Sequence, residues 1–297
     1  MDRYLQSNRR TLFFTKQEPV ATIMTSRGCP FNCIFCSTKV VWERNWRPRS
    51  PEVTVREIEM LIADYGVREV AIQDDQFLAD KKRVGRICDL LIEKNLKITL
   101  SIPSGTSIWL ADEEVLRKMK RAGFYRLCFP IETGNEATLK FIRKPVTLAK
   151  ARETVALVNR LGFWTQGNFI IGFPYETREQ IQETIRYAFH SGLDYVFFCI
   201  AKPYAGSDMY EIFFKEGLLE KVARGSTIHS ANYDTTTMTA VELQEIRDRA
   251  SRNFLIYKLV SYLNPVNFFR YLVPKLRSPR GIRYAAKILF RILKTAT

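Results

Sequence analysis

Between residues 18 and 205, short apolar runs alternate with longer stretches of helical periodicity. The runs at 20–25, 69–73, 98–102, 126–131, 165–171 and 195–200 are rich in Val, Ile and Phe, as strands buried on both faces are. Helical patterns lie between them. Residues 51–65 open with Pro and then Glu, and residues 112–121 open with Asp. Residues 177–191 begin with Thr177, carry Gln180 three positions on and stop at Gly192, which predicts a capping box and a glycine stop. Six strand–helix repeats imply parallel strands with right-handed crossovers. They are too few for a closed eight-unit barrel. The expected fold is therefore α/β, a partial (β/α)6 TIM-like barrel with a C-terminal helical extension, a doubly wound sheet being the other arrangement of six such units. In both, the chemistry sits at the carboxyl ends of the strands.

After Gly206 the alternation stops. Helices are expected at 207–216 and 239–263, with a break at Asn264-Pro265, then short basic helical pieces interrupted at Pro274 and Pro279. The organisation that follows is a lead-in over 1–17, the barrel over 18–237 and a basic, aromatic-rich extension over 238–297.

Composition adds two facts to this picture. With 46% apolar and 26% charged residues in 297, the chain is an ordinary globular one, with no transmembrane run and no apolar signal core at its start. A cytoplasmic location is expected. The net charge of +15 is uneven: residues 249–297 hold eleven Lys or Arg and no Asp or Glu, leaving +4 for the first 248.

Six cysteines are present, and three crowd into the run Thr25-Ser-Arg-Gly-Cys29-Pro-Phe-Asn-Cys33-Ile-Phe-Cys36 directly after the first predicted strand. Three thiolates on one short loop can wrap one face of a cubane cluster and leave one iron without a protein ligand. Zinc competes, but a structural zinc takes four ligands, and His190 and His229 are distant. A four-cysteine ferredoxin site lacks its fourth ligand. Cys88, Cys128 and Cys199 fall within helix and strand patterns, where a small buried thiol needs no functional role.

The Cys-x3-Cys-x2-Cys loop on a repeating strand–helix chain resembles the radical S-adenosylmethionine (SAM) superfamily, from about residue 18 to residue 215. By that resemblance Cys29, Cys33 and Cys36 hold a [4Fe-4S] cluster whose fourth iron is chelated by SAM. One electron cleaves SAM to methionine and a 5′-deoxyadenosyl radical, which takes a hydrogen atom from an unactivated C–H bond. Phe35, the aromatic residue before the third cysteine, would pack near the adenine. Further matches occupy strand ends. Ala71-Ile-Gln-Asp74-Asp75-Gln-Phe77 stands where the family binds the SAM amino group, with Asp74-Asp75 in place of Gly-Gly-Glu, as in the subgroup resembling cobalamin-dependent members. Pro130-Ile-Glu132-Thr-Gly134 and the later Lys144 imply a carboxylate orienting the polar groups of SAM and a cation on its carboxylate. Gly172-Phe-Pro-Tyr175-Glu176-Thr177 resembles a Gly-Phe-Pro-Gly-Glu-Thr segment along the adenine; Tyr175 replaces Gly, so a different turn is expected. Pro203-Tyr-Ala205-Gly206 resembles the subgroup's later Pro-x-Pro-Gly, with Ala205 for the second Pro. No Asp-x-His-x-x-Gly cobalamin motif occurs, so cobalamin enters this reading only if supplied in trans.

The resemblance implies an electron donor such as flavodoxin or ferredoxin, and a substrate among lipids, tetrapyrroles or natural products undergoing methylation, cyclisation or rearrangement. An iron–sulfur carrier that has lost SAM chemistry is the alternative. The basic, aromatic tail over 249–297 reads as a membrane-surface element at the inner face of the membrane. Nucleic acid is the weaker rival. In the remaining reading an apolar face closes the barrel while the charges stay in water.

Overall fold

The structure, a computed structural model, describes residues 1–11, 15–219, 227–231 and 233–296. Helix α1 (Asp2–Thr11) precedes β1 (Val20–Ile23). A two-residue antiparallel ladder of β2 (Ser26–Arg27) and β3 (Arg47–Pro48) then brackets α2 (Thr38–Trp42). From there the expected alternation holds through α3 (Pro51–Tyr65), β4 (Glu69–Ile72), α4 (Lys81–Glu93), β5 (Thr99–Ile102) and α5 (Glu113–Arg121). It continues with β6 (Phe124–Glu132), α6 (Glu136–Phe141), α7 (Leu148–Arg160), β7 (Trp164–Ile171), α8 (Arg178–His190) and β8 (Tyr195–Ile200). The six long strands form one parallel sheet in the order β1-β4-β5-β6-β7-β8, a partial TIM-like barrel.

Local sequence accounts for the helix boundaries. In α3, Ser50 caps the Val53 amide, Pro51 occupies the first turn and Gly66 closes the helix in a left-handed conformation. Thr177 and Gln180 form the expected capping box on α8.

A sheet that does not close has two edges, and both are covered. On β1, Tyr4 of α1 donates from its hydroxyl to the Thr22 carbonyl (2.9 Å) and accepts from the Thr22 amide (3.1 Å). Asn8, one turn on, donates to the Val20 carbonyl at 3.3 Å. On β8, Arg247 donates to the Phe198 carbonyl at 3.0 Å and the Ile200 amide reaches the Ile228 carbonyl at 2.8 Å.

After α9 (Asp208–Lys215) comes α10 (Ala240–Ser261), capped by the Thr239/Glu242 box. Its Leu243, Ala250 and Phe254 are buried in the main core. The turn α11 (Pro265–Asn267) leads to α12 (Pro279–Ala296). The expectation of short pieces broken at Pro279 is corrected here. Pro279 occupies the first position of an 18-residue helix, where its missing N–H has no partner to lose.

These last elements close the end of the barrel where the strands begin. Tyr284 of α12 is buried edge-on against Tyr125 and Trp164, at 5.2 Å from each ring. Beneath them lies a buried polar layer. Glu69 accepts from the Lys16 and Gln17 amides at 2.7 and 2.8 Å and from the Tyr125 hydroxyl at 2.7 Å. Lys275, itself buried, donates to Asp194 (2.5 Å) and Asn159 (2.7 Å), so the tail is bolted to the residue preceding β8.

Candidate functional site

At the opposite end, where the strands finish, the loop after β1 is fixed from three sides. Asp74, buried beyond β4, accepts from the Thr25 amide (2.6 Å), the Thr25 hydroxyl (2.5 Å) and the Ser26 hydroxyl (2.6 Å). Asp75 is exposed and accepts from the Gly28 amide at 2.8 Å. Arg83 of α4 donates to the Thr25 carbonyl at 2.7 Å. Gly28 has φ +88°, and a Cβ there would fall 1.8 Å from the Asn45 carbonyl oxygen. Further along, Ile34 is buried: its amide reaches the Ile142 carbonyl at 3.2 Å and its carbonyl accepts from the Met209 amide at 2.9 Å. Cys29, Cys33 and Cys36 are all free thiols, all half-buried. Burial raises the Cys29 and Cys33 thiols, Cys33 to about 11. Cys36 Sγ lies 3.0 Å from the Thr38 hydroxyl.

The loop faces a buried ion pair. Lys144 Nζ sits 2.9 Å from Glu132 Oε1, each side chain 6% exposed. Burial alone would lower the Lys144 ammonium, but Glu132 and then Cys33 outweigh it and hold it above the usual lysine range. Two rings flank the same ammonium, Trp109 at 5.4 Å and Phe35 at 6.0 Å, an arrangement that favours the charged form. Glu132 reaches this position from strained backbone. It has φ +76° beside a register shift in the β6–β7 ladder, and a non-glycine residue holds that conformation only where its surroundings impose it.

Phe35 packs 5.9 Å from Phe173, which connects the cysteine loop to the turn after β7. In that turn the amides of Gly172 (2.8 Å) and Phe173 (3.2 Å) donate to Glu176 Oε2. Burial pushes the Glu176 carboxyl up to about 8, against those two amides. Gly172 has φ +80°, and Leu243 of α10 packs where a side chain would be. Tyr175, where a glycine was the expected residue, adopts the left-handed conformation that glycine favours, with φ +66°. The strain is offset by an edge contact with Phe141 (6.0 Å) and a hydrogen bond to Glu216 (2.6 Å). Tyr175→Gly is therefore expected to be more stable than Tyr175→Ala by about 1 kcal/mol, since both lose the ring but only glycine relieves the backbone. Chemical denaturation of the two variants side by side measures this.

The structure thus brings Cys29, Cys33, Cys36, Phe35, Glu132 and Lys144 to one face, with Gly172 one residue from the Phe35 contact. The Asp74 carboxylate is buried and engaged by the loop itself, while Asp75 is exposed and holds the Gly28 amide, next to Cys29. Both position the cysteines. Sequence reasoning did not single out Trp109 or Phe173. Trp109 lies in a turn after β5, and its place at a strand end is the signal that could have marked it. Cys199 is half-buried and raised to about 11 by burial, with Glu132 contributing next, while Cys88 and Cys128 are buried.

Residues 23–188 match the Radical SAM superfamily. The chain belongs to that superfamily. It is 36% identical over 201 residues to an uncharacterized methyltransferase of Pyrococcus horikoshii, covering 68% of this chain and 43% of that one. It is 28% identical to an anaerobic magnesium-protoporphyrin IX monomethyl ester cyclase of Rubrivivax gelatinosus, covering 67% and 36%. Among solved structures, the radical SAM methyltransferase TsrM of Kitasatospora setae, with cobalamin and a [4Fe-4S] cluster bound, superposes with a TM-score of 0.60 at 18% identity, over 69% of this chain and 41% of that one. This radical SAM chain therefore spans less than half the length of these relatives, and the likeness is to the core of cobalamin-type members. Membership implies an enzyme that uses SAM and a [4Fe-4S] cluster. No helix among the described residues is long and apolar enough to cross a membrane.

Proposed function

We propose that Cys29, Cys33 and Cys36 are the three protein ligands of a [4Fe-4S] cluster, and that Glu132 and Lys144 set the polar end of SAM beside its open iron. The observation that supports this most is the pinned loop: three free, half-buried thiols held open opposite a buried ammonium. No three His, Cys, Asp or Glu side chains among the described residues converge as they would around a single ion. A structural zinc takes four ligands and this loop supplies three thiols, so the donor set fits a cluster with one open iron better than a zinc.

With the cluster bound, the chemistry available is one-electron cleavage of SAM to methionine and a 5′-deoxyadenosyl radical, which abstracts hydrogen from an unactivated carbon. The residues of this chain supply the surroundings. Asp74 and Asp75 hold the loop in register. Lys144, charged and shielded by Trp109 and Phe35, offers a cation to a carboxylate. Glu132 offers an acceptor to an ammonium, and Phe35 with Phe173 offers an apolar wall to a purine. The two named sequence relatives, a methyltransferase and a magnesium-protoporphyrin ester cyclase, favour methylation or cyclisation, with a tetrapyrrole among the substrates to test first. A flavodoxin- or ferredoxin-like donor would reduce the site. The basic tail lies at the other end of the barrel, so its charge gives no support to a lipid substrate. Anaerobic protein reconstituted with iron and sulfide, then given dithionite and SAM, is expected to form 5′-deoxyadenosine. Cluster-loaded protein that forms none would favour the electron-carrier reading.

A further inference from the structure

The tail has an inner face and an outer one. Inward, Tyr284 and Ile288 of α12 are buried against the strand origins. Outward, at the end of α10 and through the turn that follows, Leu263 is 81% exposed, Val266 68% and Phe269 67%. On the outer side of α12, Ile282 and Phe290 are exposed too. Isolated apolar residues on a surface need no explanation, but this is a group of large ones at one end of the molecule. The same segment, 249–297, contains no Asp or Glu, and Arg270, Arg277, Arg280 and Arg283 are all exposed within it.

We infer that this end of the barrel, where the strands begin, docks on an anionic lipid bilayer. A surface that presents aliphatic and aromatic side chains among exposed arginines buries the former at the headgroup boundary and attracts lipid phosphate with the latter. A second copy of the chain fits less well, because two such surfaces repel by charge. Nucleic acid rewards the arginines and stackable rings but leaves Leu263, Val266 and Ile282 without a partner. The candidate active site opens at the opposite end, so a docked molecule presents it to the aqueous side. That orientation alone rests on the proposed function; the docking does not.

Deleting the tail would be a poor test, since Tyr284 and Lys275 fasten it into the barrel. Substituting outward residues of the full chain avoids this. The wild-type protein is expected to co-sediment with phosphatidylcholine vesicles containing phosphatidylglycerol, and not with phosphatidylcholine alone. Binding should weaken at high salt. Leu263→Ser/Val266→Ser/Phe269→Ser should lower the partition coefficient by roughly tenfold or more. Arg270→Glu/Arg277→Glu/Arg280→Glu should abolish the lipid-charge dependence, with the circular dichroism of both variants unchanged. The inference is overturned if wild type fails to sediment or binds neutral vesicles equally well. It is overturned also if the serine variant binds as wild type does. Two further results would do the same: vesicle binding too weak to survive competition by a short RNA, or a concentration-dependent dimer that the serine variant dissolves.

Discussion

Cys33→Ala is expected to abolish 5′-deoxyadenosine formation while leaving the fold close to intact. The loop does not depend on the sulfur for its shape. The Cys36 amide bonds to the Cys33 carbonyl at 3.2 Å, Ile34 is tied on both sides, and Asp74 and Asp75 fasten the upstream half. Loss of a half-buried thiol should therefore change stability by less than about 1 kcal/mol. The rate should fall on the order of a thousandfold or more, equivalent to about 4 kcal/mol of barrier or more. Cys88→Ala is the matching control. That thiol is buried in α4, with its acidity lowered by burial, and its loss should cost about 1–2 kcal/mol of stability with no effect on SAM cleavage. Comparable turnover in the Cys33 and Cys88 variants would contradict the ligand assignment.

The second large effect concerns the ion pair. Glu132→Gln leaves the Lys144 ammonium buried without its counter-charge, and removing one member of such a pair costs about 3 kcal/mol or more, roughly 5–10 °C in Tm. The pH dependence should invert. In the wild type the raised Lys144 contributes stability that is complete below the ordinary lysine value and is lost as pH rises through the higher folded-state value. In the variant, burial depresses the lysine instead, so stability should rise with pH up to the ordinary lysine value. Adding Lys144→Met removes the stranded charge and should recover most of the lost stability, to within about 1 kcal/mol of wild type. It should not recover 5′-deoxyadenosine formation. If Glu132→Gln melts with the wild type, the pair is not the buried, charged unit described here. If the double variant cleaves SAM normally, the pair does not bind it.

Much of this was legible in the residues. The six strands lie within two residues of their expected limits, because strands covered on both faces must be continuously apolar and the helices between them carry explicit caps. The cysteine loop was legible for a similar reason: its chemistry is contained in eight consecutive residues. The coupling across the site was harder to read. Glu132 and Lys144 are twelve positions apart and meet only because Glu132 takes up a left-handed backbone that its sequence does not announce. Asp74, by residue type as good a ligand for a substrate ammonium as Glu132, turns out to hold Thr25 and Ser26. Nothing in the run Gln-Asp-Asp-Gln distinguishes the two uses. At Tyr175, a tyrosine in place of an expected glycine said nothing of the left-handed backbone it adopts, which contacts with Phe141 and Glu216 accompany. The tail misled in the other direction. Pro274 and Pro279 suggested breaks, whereas Pro279 begins a helix, and the burial of Tyr284 depends on partners 120 and 159 residues earlier in the chain.

The proposed chemistry depends on an open iron site at Cys29, Cys33 and Cys36. Its most direct test is electron paramagnetic resonance of the anaerobically reconstituted, dithionite-reduced protein, recorded with and without SAM. A [4Fe-4S]⁺ signal whose shape changes when SAM is added is the predicted result. A cluster signal indifferent to SAM, or no cluster signal at all, would contradict it.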